Sequence, residues 1–219
     1  MKREYDDHKR ITKILKNHKG MRPRRYSYAE VKEITNNFAK KLGTMHKGKL
    51  IDQTLVAVKM LNGSKENAED FINEVNRISR LQHVNMLQMV GFCVDGETRA
   101  LIYEFPPNGI LEKFISLEGH CRKLGWEKLH KIAIGIAKGI HYIHQETTKR
   151  NFTLDISPQS IFLDYNFDPK ILVLPDYIPH FETVSQKEDV YNFSVFLTDI
   201  VGRQKISWKQ GILLSGMDL

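Results

Sequence analysis

Cysteine is almost missing from this chain. Cys93 and Cys121 are the only two in 219 residues, and their spacing suits neither a metal site nor the disulfide framework of a small secreted domain. A reducing cytosol is the compartment that fits. Also missing is any apolar run near the ~18–20 residues that a bilayer-spanning helix needs, and no apolar core follows the first positive charges as in a secretory leader. The chain as given is therefore expected to be cytoplasmic, neither secreted nor anchored. Histidines are scattered. Even His141 and His144, close together on one predicted helix, have no cysteine or carboxylate at ligand spacing, so they read as structural rather than zinc-binding. Internal repeats and low-complexity segments are absent as well.

Charge is present but uneven. Residues 1–25 carry ten Lys or Arg against Glu4, Asp6 and Asp7, which accounts for the whole formal charge of +7. The remainder is neutral. A basic segment beside a neutral body is read either as a solvated tail or as one drawn peripherally to an anionic plasma-membrane surface. Nucleic acid fits poorly, because no aromatic side chain interleaves with the charges between Tyr5 and Tyr26.

With 41% apolar residues the chain can bury a real core, as one domain or two lobes sharing a cleft. Ser27 followed by Glu30 is a capping-box pattern and predicts a helix to about Asn36. The β-branched run from Leu55 to Met60 predicts a strand, and Phe71, Val75, Ile78 and Leu81 predict an amphipathic helix from about Ala68. Residues 89–94 and 100–105 read as two strands around the Asp95-Gly96 turn, closed by Pro106-Pro107-Asn108-Gly109. The first half is thus expected to be a small antiparallel sheet with one helix. Beyond Gly109 a helical stripe over residues 126–144 predicts a central buried helix. Short apolar segments at 160–163 and 171–174 flank a turn, and a last helix is predicted from about Lys187 to Val201.

This order of elements, together with particular residues, resembles protein kinases. Val56-Ala57-Val58-Lys59 is similar to the strand whose lysine grips nucleotide phosphates, and Glu74 stands where the regulatory helix supplies that lysine's carboxylate partner. Residues 83–93 and 101–109, with Arg24-Arg25-Tyr26-Ser27 and Ile34-Thr35-Asn36-Asn37-Phe38, most resemble the leaf-rust-resistance-kinase-like group of plant receptor-like serine/threonine kinases, over about residues 16–202. The resemblance implies an α+β, bilobal kinase-like fold. It divides the chain into a juxtamembrane-like tail (1–25), a leading helix (26–37), a sheet-bearing lobe (38–105) and a partial helical lobe (106–219). It also implies an adenine site built from Ala57, Tyr103, Glu104, Phe105 and Phe162, with Ala57 as ceiling and Phe162 as floor. Asp155 takes the place of the catalytic base.

Against the same family pattern, much of the phosphoryl-transfer apparatus is missing. Gly43 is followed almost at once by Lys47-Gly48, so the glycine-rich loop is largely deleted. Ser157 replaces the lysine that steadies the transferred phosphate. Ser160 replaces a magnesium-binding asparagine, and Val173 replaces the aspartate that holds magnesium, a cation that needs oxygen donors. Lys59 and Glu74 are expected to pair still, now as a structural salt bridge. Phe162 either fills the adenine pocket from below or turns into the lower core. Leu174 is expected to pack near Ile78 and Met89.

The expected function is a catalytically impaired kinase-like module that binds protein partners, an active receptor-like kinase among them. No cofactor is expected, with ATP lacking productive magnesium as the variant reading. A weak serine/threonine kinase is one alternative. The other is a shortened product whose Phe193 and Phe196 would lie uncovered.

Overall fold

Ser27 opens the first helix as its pattern predicts. In the computed structural model, which describes residues 23–61, 67–115, 124–146, 152–175 and 186–215, the Ser27 hydroxyl accepts from the Glu30 N–H while the Glu30 carboxylate accepts from the Ser27 N–H at 2.7 Å. The helix, α1 (Tyr28–Ile34), stops short of Asn36. Asn36, Asn37 and Phe38 all take left-handed φ values, of 49°, 53° and 61°. Asparagine tolerates that region, whereas Phe38 is held there by its N–H to Thr35 Oγ1 and by ring contacts with Tyr28 and His46.

The upper sheet has six strands in the order β1-β5-β6-β4-β3-β2. These are β1 (Arg24–Tyr26), β2 (Lys41–Leu42), β3 (Met45–Lys49), β4 (Leu55–Met60), β5 (Met89–Asp95) and β6 (Thr98–Glu104). The sheet is mixed rather than antiparallel throughout, because β1 runs parallel to β5. Gly91 makes this docking possible: a Cβ there would lie 2.5 Å from Cε2 of Tyr26. Arg25 donates to the Val94 carbonyl, and the Tyr28 N–H to Asp95. Arg24 and Arg25 therefore belong to the sheet and not to the tail assigned to residues 1–25. Residues 1–22 of that tail lie outside the described residues, as do Cys121 and residues 176–185.

Helix α2 (Ala68–Ile78), capped by Asn67, turns Phe71, Ile72, Val75 and Ile78 inward. The lower half contains α3 (Glu112–Ile115), α4 (Trp126–Glu146), α5 (Gln186–Ser215) and a four-stranded sheet. That sheet runs β7 (Gly109–Ile110), β9 (Ile161–Leu163), β10 (Pro169–Pro175), β8 (Phe152–Asp155). It is more strand than the sequence pattern suggested, since four residues are too few to show a period.

One continuous apolar core links the halves, and Ile78, Met89 and Leu174 all belong to it. A polar joint reinforces the connection. Buried Asn85 donates to the Pro169 carbonyl at 3.0 Å and accepts from the Ile171 N–H at 2.8 Å, while the Leu87 N–H returns to Ile171. Gly135 and Gly139 let α4 approach: added Cβ atoms would lie 2.5 Å from Pro169 Cγ and 2.7 Å from Ile171 Cδ1.

His144 does acquire a carboxylate, contrary to its sequence surroundings, because α5 brings fully buried Asp189 to 2.8 Å. Phe196 and Ile200 of α5 are buried, so Phe196 is not left uncovered. Phe193 is partly buried and stacks on Phe196, while Val190, Tyr191 and Val195 face outward. Among the described residues no helix is long and apolar enough to cross a membrane.

Candidate functional site

The cleft between the two halves is where a kinase would hold nucleotide, and its geometry begins with the β2–β3 hairpin. Leu42 pairs with Met45 across a turn of only Gly43 and Thr44. A two-residue connection cannot arch over a triphosphate as a glycine-rich loop does. Instead it reaches the lower half. With φ at 53°, Gly43 sits so close to Gln159 that an added Cβ would be 3.0 Å from both Gln159 Cβ and its carbonyl oxygen. Backbone therefore packs on the opposite wall where phosphates would pass.

Behind the hairpin, the residues expected to line an adenine site are buried among protein side chains. Ala57 in β4 and Phe162 in β9 have no exposed surface, Met45 has 1%, and all belong to the same apolar core. Phe105 meets Phe162 edge to face, with centroids 5.8 Å apart. Tyr103, fully buried, donates its hydroxyl to the Val173 carbonyl at 2.6 Å. Glu104 is taken up by the backbone N–H of Gln88. The polar side chains of Tyr103 and Glu104 are thus engaged by backbone groups elsewhere in the fold.

Around Asp155 the serines acquire a definite role. Oδ1 accepts from the Ser157 N–H and hydroxyl, at 3.2 and 2.8 Å, and Oδ2 accepts from the Ser160 hydroxyl at 2.6 Å. Ser160 is fully buried. Both carboxylate oxygens are thereby held by local donors, two serine hydroxyls and one backbone N–H.

The expected Lys59–Glu74 bridge is not formed. Glu74 Oε1 bonds Arg77 at 3.0 Å, one turn along α2, and its buried Oε2 has no hydrogen-bond partner. Arg77 in turn lies over the Phe152 ring. Burial lowers the pKa of Lys59, and Asp155 partly offsets that from across the cleft. The two candidate catalytic residues therefore sense each other, while Glu74 stands apart. Sequence spacing carried a signal for this, since Arg77 stands three residues along the helix from the same carboxylate.

Magnesium does not fit these residues. Val173 offers only a carbonyl that already accepts from Tyr103, and the Ser160 hydroxyl is spent on Asp155. Among the described residues no group of three or more His, Cys, Asp or Glu side chains is placed to hold a metal ion. One site residue escaped the sequence reading. Lys47, directly across from Ala57 in the β3–β4 register, lays its ammonium 4.6 Å from the centroid of the Phe105 ring. Strand parity was the available signal, for Lys47 shares its face with buried Met45.

Comparison with known proteins agrees with this architecture. The profile of the protein tyrosine and serine/threonine kinase family matches residues 36–154. The PR5-like receptor kinase of Arabidopsis thaliana is 38% identical over 84% of this chain, and the rust resistance kinase Lr10 of Triticum aestivum is 37% identical over 91%. The chain spans only 32% and 37% of the lengths of these two relatives. A pseudokinase solved in its apo form superposes with a TM-score of 0.61 over 84% of this chain and 69% of its own, at 21% identity. That likeness concerns fold. On the matched residues and these relatives, the chain belongs to the protein tyrosine and serine/threonine kinase family and has plant receptor-like kinases as its homologues.

Proposed function

We propose that this kinase-fold chain is catalytically impaired and acts as an interaction or regulatory module in signalling, with protein partners that include an active receptor-like kinase. The observation that carries this reading is the enclosure of Asp155 by Ser157 and Ser160, the two residues standing where the family has its phosphate-steadying lysine and a magnesium ligand. Phosphoryl transfer is mostly positioning and electrostatics. Here the former base is committed to its neighbours, the adenine slot is lined shut, and the hairpin tip rests on Gln159. No cofactor is required by such an arrangement. Residues 1–25 supply the charge for a peripheral contact with an anionic membrane.

The test is thermal unfolding of the purified chain with and without ATP and magnesium, followed by a phosphate-transfer assay. A ligand at 100 times its dissociation constant adds about 2.7 kcal/mol. A cooperative transition with no magnesium-dependent stabilisation by ATP is the expected result. Magnesium-dependent stabilisation together with transfer that Asp155→Ala abolishes would replace the proposal with a weak serine/threonine kinase. Absence of any cooperative transition would mean that the chain does not fold as a module at all.

A further inference from the structure

The mouth of the closed slot has an electrostatic character that the kinase comparison does not use. Lys47 projects from β3 on the cleft-facing side, cross-strand from Ala57, and caps the Phe105 ring. From below, Lys113 of α3 reaches the same place. The point where a Gly109 side chain would stand lies 3.3 Å from Lys113 Nζ and 3.7 Å from Phe105 Cζ, and Gly109 has φ of 70°, which favours leaving that point empty. Lys40, at the base of the hairpin, is the third cation. Its carbonyl accepts from the Lys47 N–H, which ties the two residues together.

Among the described residues no carboxylate forms an ion pair with Lys40, Lys47 or Lys113. The charges acting on Lys47 are those of Lys40 and Lys113, and with burial they hold its pKa below the ordinary lysine value. Like charges gathered without a counter-charge are an unfavourable arrangement that an anion relieves. Since the adenine slot is filled behind this point, a nucleotide base has no seat there, so the anion must bring its own scaffold.

We infer that Lys40, Lys47 and Lys113 form a phosphate-binding site at the outer cleft, and that its ligand is a phosphorylated serine or threonine on a protein partner. A phosphate monoester carries about −1.5 to −2 charges at neutral pH and three acceptor oxygens, enough to engage several ammonium groups at once. The Phe105 ring and the open space over Gly109 offer an apolar rest for the carrying peptide. This rests on reading the chain as an interaction module, and it names the chemistry of the partner.

The test is calorimetric titration of the full chain at low ionic strength with a short neutral phosphoserine peptide, its unphosphorylated form, tripolyphosphate and magnesium-free ATP. The phosphopeptide is expected to bind and its unphosphorylated form not to. Lys47→Gln and Lys113→Gln should each weaken binding about three- to fivefold, consistent with loss of one exposed charge contact. Lys47→Arg should retain it, and Lys32→Gln, on α1, should leave it unchanged. Phosphopeptide binding that survives the Lys47→Gln/Lys113→Gln double substitution in a chain that still unfolds cooperatively would overturn the site and assign the anion to residues 1–25. Tripolyphosphate binding without phosphopeptide binding would overturn the protein partner. ATP and tripolyphosphate are expected to bind equally well. Tighter binding of ATP would instead overturn the closed adenine slot, and with it the proposed function, while leaving the lysine site standing.

Discussion

Two polar clusters lie where the two halves of this molecule meet, and they have fared differently. Around Asn85 the side chain and backbone polar groups that the joint uses find partners across to β10. Around Asp155 the side chains that serve catalysis in kinases have been re-partnered or left incomplete. Serines hold Asp155, Arg77 holds Glu74, and Glu74 keeps a buried oxygen without a hydrogen bond. The difference is one of partner type. Groups whose partners are other parts of the fold are kept because folding needs them, whereas groups whose partner was a ligand are free to drift into local contacts.

The most severe way to test this contrast is to break the joint. Gly135→Val would force atoms into Pro169 and the Asn85 amide, which already lie 2.5 and 2.9 Å from the position of an added Cβ. Overpacking against a rigid proline should cost about 3 kcal/mol, at the upper end for such insertions. Asn85→Ala, which strands the buried Pro169 carbonyl, should cost about 2 kcal/mol. Urea unfolding measures both. A loss below about 0.5 kcal/mol for either would mean that the apolar core alone couples the halves.

The second cluster gives a smaller and more pointed effect. In an active kinase Asp155→Ala would remove chemistry, but here it should remove stability, by about 1–2 kcal/mol, because the fully buried Ser160 hydroxyl loses its acceptor. Asp155→Asn should recover part of that loss. A destabilised chain with no transfer activity to lose is the expected outcome. An unchanged midpoint would show that the serines do not hold the carboxylate in solution.

These comparisons also show what could be read from the residues beforehand. The capping box, β4 and α2 were visible because each is set by neighbours within a few positions. The likeness of the Ala57–Phe162 pair to an adenine site was visible too, but whether Phe162 filled the slot or turned away was a question of packing. Long-range pairing was the blind spot. Nothing local says that Arg24–Tyr26 joins β5, or that the Asn36–Phe38 bend ends α1 early. The Lys59–Glu74 expectation failed for the opposite reason: a competitor three residues along the helix, in plain view at Arg77, reached the carboxylate more cheaply than a lysine on another strand.

Lys59 sharpens the contrast from the side of electrostatics. Its pKa is lowered chiefly by burial, so at neutral pH the folded state bears the cost of a partly desolvated ammonium. Lys59→Met, which would abolish transfer in an active kinase, should leave stability unchanged or raise it by less than about 1 kcal/mol. A clear loss of stability would mean that the attraction to Asp155 outweighs the desolvation.

The smallest effect belongs to the intact joint, at His83. Its ring stacks on Tyr142 at 4.9 Å and its Nδ1 accepts from the Asn85 N–H, an arrangement that uses the neutral imidazole. Burial, followed by Lys138 and Lys170, lowers its pKa below 6.5. The unfolded chain therefore takes up a proton at a higher pH than the folded chain does. Stability contributed by neutral His83 is complete above about pH 6.5 and declines as the pH falls toward the folded pKa. Other histidines titrate in the same range, so the measurement is a difference. Unfolding free energies of the wild type and His83→Gln, compared between pH 7.5 and pH 5.5, should diverge at the acidic end, with the wild type losing more. Parallel curves would place His83 outside the joint's energetics and leave Asn85 to hold the two halves without it.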